Sequence, residues 1–308
     1  MTARVPAKVN LQLSVGPPGA DGYHDLVTVF HALALFDEVT VTSADTDSVV
    51  VTGEGAPSVP ADRSNLAARA VDALVDAVGP GVRDAPGLAI EIRKRIPVAA
   101  GLAGGSADAA GALVACNELW GAGLSQQELA EVAAKVGSDV GFALLGGTGV
   151  GLGRGDRVTP ALAAGTYHWV LAFAAEQLST PAVYAACDRL RAGRSASPAP
   201  PQLNTALMAA LRSGDPAELG PLLSNDLQPA AVSLLPRLRQ ALAAGREHGA
   251  LGAIVSGSGP TCAFLARDGV HARDLAVALA GAGVCRTVAS VSGPAPGATV
   301  ISVPSTRA

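Results

Sequence analysis

The 308-residue chain has 22 Lys and Arg against 26 Asp and Glu, a formal charge of −4 at pH 7, with 49% hydrophobic and 16% charged residues. That balance suits one large domain or two ordinary ones with a sizeable core, and excludes a disordered polymer. It leaves no surplus of cations to coat a duplex and no stretch near the roughly 20 apolar residues of a membrane span, so neither nucleic acid nor membrane is an expected partner.

In chain order, alternation predicts a strand over Ala7–Val15, a turn at Pro17–Gly22, and apolar β segments at Leu26–Ala34, Glu38–Thr42 and Val49–Thr52. Ala61–Val78 has helical periodicity, with Leu66, Ala70, Leu74 and Val78 on one face. Leu88–Ile92 is a strand ending at the basic cluster Arg93, Lys94, Arg95. A Gly/Ala turn over Ala99–Gly105 opens a helix from Ser106 to Trp120, which Gly121 and Gly123 stop. Ser125 and Glu128 make a capping box for a helix to Val136, broken by Gly137-Ser138, and Gly146–Gly155 is a glycine-dense strand or hairpin. Beyond it come a strand at His168–Ala174 and helices at Pro181–Arg191, Asn204–Arg212, Ala217–Leu223 and Leu234–His248. Strands follow at Ala253–Val255, Thr261–Leu265, Thr287–Ser292 and Ala298–Val303, and Ala192–Gln202 is a Pro/Ser/Ala surface loop. This order predicts a chain of two lobes, α+β or α/β, divided into residues 1–157 and 158–308.

Cys116, Cys187, Cys262 and Cys285 are far apart with no C-x-x-C pair, which argues against zinc and for the reduced thiols of a cytoplasmic protein. The start, MTARVPAKVNLQL, has no apolar run of signal-peptide length. An anionic ligand must therefore be met locally, and the segment fitted to do so is PVAAGLAGGSADAAGAL, Pro97–Leu113. Small residues at Gly101, Ala103, Gly104 and Gly105 let backbone N–H groups approach a ligand, and the helix that follows adds unpaired donors and a partial positive charge. Neither G-x-x-x-x-G-K-[ST] nor a strict G-x-G-x-x-G occurs, so an ordinary P-loop and the dinucleotide fingerprint are excluded.

Pro97–Leu113 resembles the second motif of the GHMP kinases, P-x-x-x-G-L-[GA]-[GS]-[GS]-S-[AS]; PAKVNLQL at Pro6–Leu13 resembles their first, and GAIVSGSGPTCAFL at Gly252–Leu265 their C-terminal glycine motif. The resemblance implies ATP-dependent phosphorylation of a small-molecule alcohol with Mg2+. It also implies an α+β two-domain fold, with an N-terminal lobe like the second domain of ribosomal protein S5 and a ferredoxin-like C-terminal lobe. On the matching positions it assigns ATP to Pro97, Val98, Ala99, Ala100, Gly101, Leu102, Ala103, Gly104, Gly105 and Ser106, with Asn65 and Lys94 near the nucleotide. Ser106 is the expected magnesium ligand, and Asp108 is expected to serve the helix dipole.

Three further runs, Asp21-Gly22-Tyr23-His24, Gly137-Ser138-Asp139-Val140 and Thr180-Pro181-Ala182-Val183-Tyr184, resemble the branch of the family that phosphorylates a cytidine diphosphate-linked methylerythritol on the non-mevalonate route to isoprenoid precursors. That resemblance implies that Tyr23 and Tyr184 sandwich cytosine, that His24 reads its edge, and that Asn10 and Thr180 bind the substrate. Lys8 in an apolar strand and Asp139 in an apolar run each need a partner, and each suits the other. The resemblance brings them together as the catalytic pair. Gly141 stands where relatives have Pro; Ala99, Ala100 and Ala103 replace glycines and should stiffen the loop; Tyr184 stands where some relatives have Phe. Two other readings are carried: a family member acting on homoserine or mevalonate, and a catalytically silent nucleotide-binding protein of the same fold.

Overall fold

The computed structural model describes residues 1–192 and 199–301. The first lobe begins with two long antiparallel strands, β1 (Thr2–Pro18) and β2 (His24–Ala44), followed by β3 (Ser48–Gly53), helix α1 (Leu66–Val78) and β4 (Gly87–Lys94). Helices α2 (Gly104–Leu119), α3 (Gln126–Val136) and α4 (Val140–Leu145) precede the hairpin β5 (Thr148–Gly153) and β6 (Arg157–Pro160). The second lobe contains β7 (Tyr167–Phe173), α5 (Thr180–Ala192), α6 (Thr205–Ser213), α7 (Pro216–Leu219), β8 (Ser224–Asn225), α8 (Gln228–Leu234) and α9 (Arg237–Glu247). It ends with β9 (Gly252–Val255), β10 (Cys262–Ala266), α10 (Gly269–Gly281), β11 (Thr287–Gly293) and β12 (Thr299–Ile301).

The two sheets follow from these elements. One has eight strands with the path β12-β1-β2-β4-β3, β5 and β8 joining it at β2 and β1 and β6 pairing with β5. The other has four strands in the order β11-β7-β10-β9, every pair antiparallel. Its chain order, β7-α5-β9-β10-α10-β11 with the extra helices inserted after α5, is the split βαβ arrangement expected of a ferredoxin-like lobe. β6 straddles the expected division at 157/158, and β12 returns from the second lobe to pair with β1. Alternation along β7 joins the lobes: Tyr167, Trp169, Leu171 and Phe173 pack into the core shared with the first lobe. Val170 and Ala172 face the cluster under the second lobe's helices. Among the described residues no helix is long and apolar enough to cross a membrane.

Several predicted boundaries move. Leu26–Ala34 and Glu38–Thr42 are one strand, β2, because the polar residue that interrupts its pattern, Asp37, is fully buried with partners of its own. The helix predicted from Ala61 starts at Leu66, since the Asn65 side chain accepts from the Ala67 N–H and so caps it. The helix predicted from Leu234 starts at Arg237, just after Pro236, as α9, and α8 ahead of it was not predicted. The loop predicted at Ala192–Gln202 falls largely on 193–198, and the end of the strand predicted to Val303 on 302–303, both outside the described residues.

Candidate active site

On β1, period-two alternation sends Ala7, Val9 and Leu11 into the core and puts Lys8 and Asn10 on the opposite face. Lys8 Nζ donates to Asn10 Oδ1 at 2.7 Å and to the Gly101 carbonyl at 3.1 Å, and lies 3.6 Å from Asp139 Oδ2. Burial pulls the Lys8 pKa below its usual value, and the Asp139 charge pushes against that fall. Asn10 Nδ2 donates in turn to Thr28 Oγ1 at 2.8 Å, which fixes the amide that orients the lysine. Asp139 precedes α4 but leaves its N-terminus uncapped, so its carboxylate is turned toward Lys8 instead.

The glycine loop arrives from the other side. Ala99, Gly101 and Ala103 have φ of 52°, 77° and 60°, alternate left-handed residues that coil the backbone tightly. At Gly101 a Cβ would lie 2.1 Å from the Ser256 carbonyl, so only glycine fits. Ser256 Oγ donates to the Gly101 carbonyl at 2.9 Å, and the Thr261 N–H donates to the Ala100 carbonyl at 3.3 Å. A Cβ on Gly257 would lie 3.3 Å from both Lys8 Nζ and Asn10 Oδ1. The three sequence motifs thus meet at one point. α2 starts directly after Ala103 with no side-chain cap, leaving its first N–H groups free for an anion.

These groups line a cavity of about 1000 Å³ between the lobes. Its far end holds Tyr23, His24 and Tyr184, with the His24 and Tyr184 rings 5.0 Å apart and tilted by 41°. Tyr23 is 58% exposed and carries the Arg154 guanidinium 3.8 Å over its ring, while Arg154 also pairs with Asp21 at 2.7 Å. Burial, then the Asp139 charge, pushes the Tyr184 phenol above its usual range. Thr180 and Ser258 share a hydrogen bond at 2.8 Å between the two ends.

Of the residues singled out in the sequence, Lys8, Asn10, Tyr23, His24, Ala99, Ala100, Gly101, Ala103, Gly104, Gly105, Asp139, Thr180 and Tyr184 line this cavity. Pro97, Val98 and Ser106 flank the loop and Leu102 turns from it into the core, and none of the four lines the cavity. Asn65 spends its amide on capping α1 and on the Pro60 carbonyl, 2.7 Å away. Lys94 is 3% exposed and holds Asp37 at 2.5 Å and Asp108 at 2.6 Å, so its charge is consumed beneath the loop. Asp108, assigned from sequence to the helix dipole, is the second carboxylate of that buried cluster. Arg154, Asp188 and Ser256 were missed. Ser256 lay within the C-terminal glycine motif, and Asp188 had a local signal in standing four residues after Tyr184 and hence on the same helix face.

Residues 65–147 match the family model of the GHMP kinases N terminal domain, and 207–285 that of the GHMP kinases C terminal. The chain is 56% identical, over 99% of its length and 94% of the relative's, to a 4-diphosphocytidyl-2-C-methyl-D-erythritol kinase of Mycolicibacterium smegmatis. It is 57% identical, over 97% and 95%, to a protein of the same name from Nocardia farcinica. A crystal structure of 4-(cytidine 5'-diphospho)-2C-methyl-D-erythritol kinase superposes with a TM-score of 0.76 at 34% identity, covering 95% of this chain and 98% of the other. A homoserine kinase from Cytophaga hutchinsonii superposes with a TM-score of 0.71 at 21% identity over 98% and 97%, a likeness of fold alone.

Proposed function

The chain belongs to the GHMP kinase family, and from that premise we propose that it transfers the γ-phosphoryl group of ATP to the 2-hydroxyl of 4-diphosphocytidyl-2-C-methyl-D-erythritol. The products are the 2-phosphate and ADP, in non-mevalonate isoprenoid precursor biosynthesis. The observation that carries the reading is the placement of the Lys8–Asp139 pair between an uncapped helix start and an aromatic pocket in one cavity.

Each part has a task in this reading. The first N–H groups of α2 and the left-handed loop bind the triphosphate. Tyr184 and Tyr23 stack on the base, and His24 reads its edge. The substrate hydroxyl points at Asp139, which accepts its proton late, because a loose transition state needs little early deprotonation. The Lys8 ammonium faces the charge that develops on the transferred group. Mg2+ bound with the nucleotide would neutralise the phosphate oxygens. Among the described residues no group of three His, Cys, Asp or Glu is placed to hold a metal ion. Ser106, half-buried in the first turn of α2, is the protein oxygen placed to add to the phosphate oxygens. We place the reaction in the cytoplasm, where ATP is abundant; the four free cysteines suit a reducing compartment.

An ADP-release assay with the cytidine substrate, homoserine and mevalonate tests the assignment. Turnover should be confined to the cytidine substrate, and Asp139→Asn should lower kcat about 10²–10⁴-fold. Undiminished turnover by the variant would remove the proton-acceptor role. Preference for homoserine or mevalonate would overturn the substrate, and ATP binding without transfer to any alcohol would favour a silent protein.

A further inference from the structure

The base-reading end of the cavity is assembled from both lobes, and one of its members acts only through another. His24 opens β2 in the first lobe, whereas Tyr184 and Asp188 stand four residues apart on α5 in the second. That spacing puts both on one face of the helix, so the element that offers the Tyr184 ring also delivers a carboxylate to the histidine. His24 Nε2 lies 2.9 Å from Asp188 Oδ1, and the His24 side chain is 6% exposed against 35% for Asp188. An ionised carboxylate only accepts hydrogen bonds, so Nε2 carries the hydrogen of this contact. In the neutral ring Nδ1 is then a bare acceptor. Among the described residues Nδ1 has no protein partner, and the ring lines the cavity.

We propose that Asp188 is a positioning residue that locks His24 in the Nε2–H tautomer, so that Nδ1 accepts from the exocyclic amine of cytosine and the pocket discriminates against uracil. Cytosine presents an N–H donor at its 4-position, and uracil presents a carbonyl oxygen there. Against a fixed bare nitrogen, the amine makes a hydrogen bond and the carbonyl meets a lone pair. Without Asp188 the imidazole can turn over or move its proton, and a donor at Nδ1 suits uracil as well as the other tautomer suits cytosine. Specificity thus comes from a residue that does not itself touch the base. The inference rests on the proposed cytidine substrate, and the test separates the two.

Wild type, Asp188→Ala, Asp188→Asn and Asp188→Glu would be assayed with the cytidine diphosphate-linked acceptor and its uridine counterpart, and the His24 ring nitrogens read by 15N NMR. Wild type should show the Nε2–H tautomer and a preference for the cytidine acceptor. Asp188→Ala should raise KM for that acceptor by about tenfold and shrink the cytidine-over-uridine preference by about tenfold, the scale of one lost hydrogen bond. Its kcat and its KM for ATP should stay near wild type, and the ring should populate both tautomers. Asp188→Asn, which keeps an acceptor and nearly the same volume, should fall between, and Asp188→Glu should recover part of the preference. If Asp188→Ala keeps wild-type preference and tautomer, the role of Asp188 is overturned while the substrate stands. If wild type phosphorylates neither acceptor, the substrate reading itself fails.

Discussion

Replacing Asp108 with Asn tests whether the cluster beneath the glycine loop holds a proton. Asp37 and Asp108 share the Lys94 ammonium at 2.5 and 2.6 Å, and none of the three is more than 3% exposed. Asp37 Oδ1 also accepts from the Arg95 and Ile96 N–H groups at 2.6 and 2.8 Å, whereas Asp108 Oδ1 has no partner. Two carboxylates cannot both be neutralised by one ammonium in a dry site, and the less satisfied one takes the proton. Burial pushes Asp108 up to about 8, with Lys94 opposing and the Asp37 charge assisting. In the unfolded chain the group ionises near 3.8. Between those values the folded protein keeps a proton that the unfolded chain has released. The stabilisation is therefore complete below about pH 4, declines as pH rises, and is gone above about pH 8. The slope is at most about 1.4 kcal/mol per pH unit, so from about pH 5 to 7 wild type should lose nearly 3 kcal/mol relative to Asp108→Asn. The amide does not titrate and still offers Lys94 an acceptor. Urea unfolding of both proteins at several pH values reads the difference directly. Parallel stabilities over this range would refute the bound proton, and a gain by wild type as pH rises would show an ionised Asp108 stabilised by Lys94.

Gly101→Ala would place a Cβ 2.1 Å from the Ser256 carbonyl at a φ of 77°, so the loop must move away from Lys8. Turnover should fall at least about 10²-fold, since catalysis tolerates little displacement, and near-wild-type kinetics would refute this packing. Ala103→Gly should relieve about 1 kcal/mol of left-handed strain and lose part of it to a more flexible unfolded chain, for a net gain of a few tenths of a kcal/mol in urea unfolding. A loss of 1 kcal/mol or more would show that Ala103 is held by contacts rather than merely tolerated.

The ends of the strands and helices were legible where the local rule is strong: the Ser125–Glu128 capping box forms as expected, with the Glu128 N–H to Ser125 Oγ and the Ser125 N–H to Glu128 Oε2. The short helix α4 and the small-residue helix α10 were not, since neither has the apolar stripe that sequence periodicity detects. The three motifs announced the loop and its partners, but not that Ala99 and Ala103 would take the left-handed conformation that glycine usually fills. At Ala99 and Ala103, though not at Ala100, the departure from glycine noted as stiffening also carries left-handed backbone strain. Asp37 escaped notice because a carboxylate in an apolar strand registers only as a break in the pattern. Its meaning depends on Lys94 and on two N–H groups nearly 60 residues downstream.

From sequence, Lys8 is paired with Asp139 and Lys94 is set near the nucleotide, and the surroundings of the two lysines show how differently they are used. Both are buried and both face an aspartate. Lys94 is closed on its two carboxylates at 2.5 and 2.6 Å, with no access to the cavity, as a pair does when its only task is to satisfy buried charge. Lys8 makes its short contact to a neutral amide at 2.7 Å and leaves Asp139 at 3.6 Å, with the Asp139 side chain 27% exposed on the cavity wall. An aspartate meant to receive a proton from a bound hydroxyl needs an oxygen free to meet it, and a lysine meant to face a phosphoryl group must not be spent on its neighbour. The longer, more open ion pair is therefore the one suited to chemistry. The tighter one suits the foundation under the loop, where its net charge, set by the Asp108 proton, is felt at the first turn of α2.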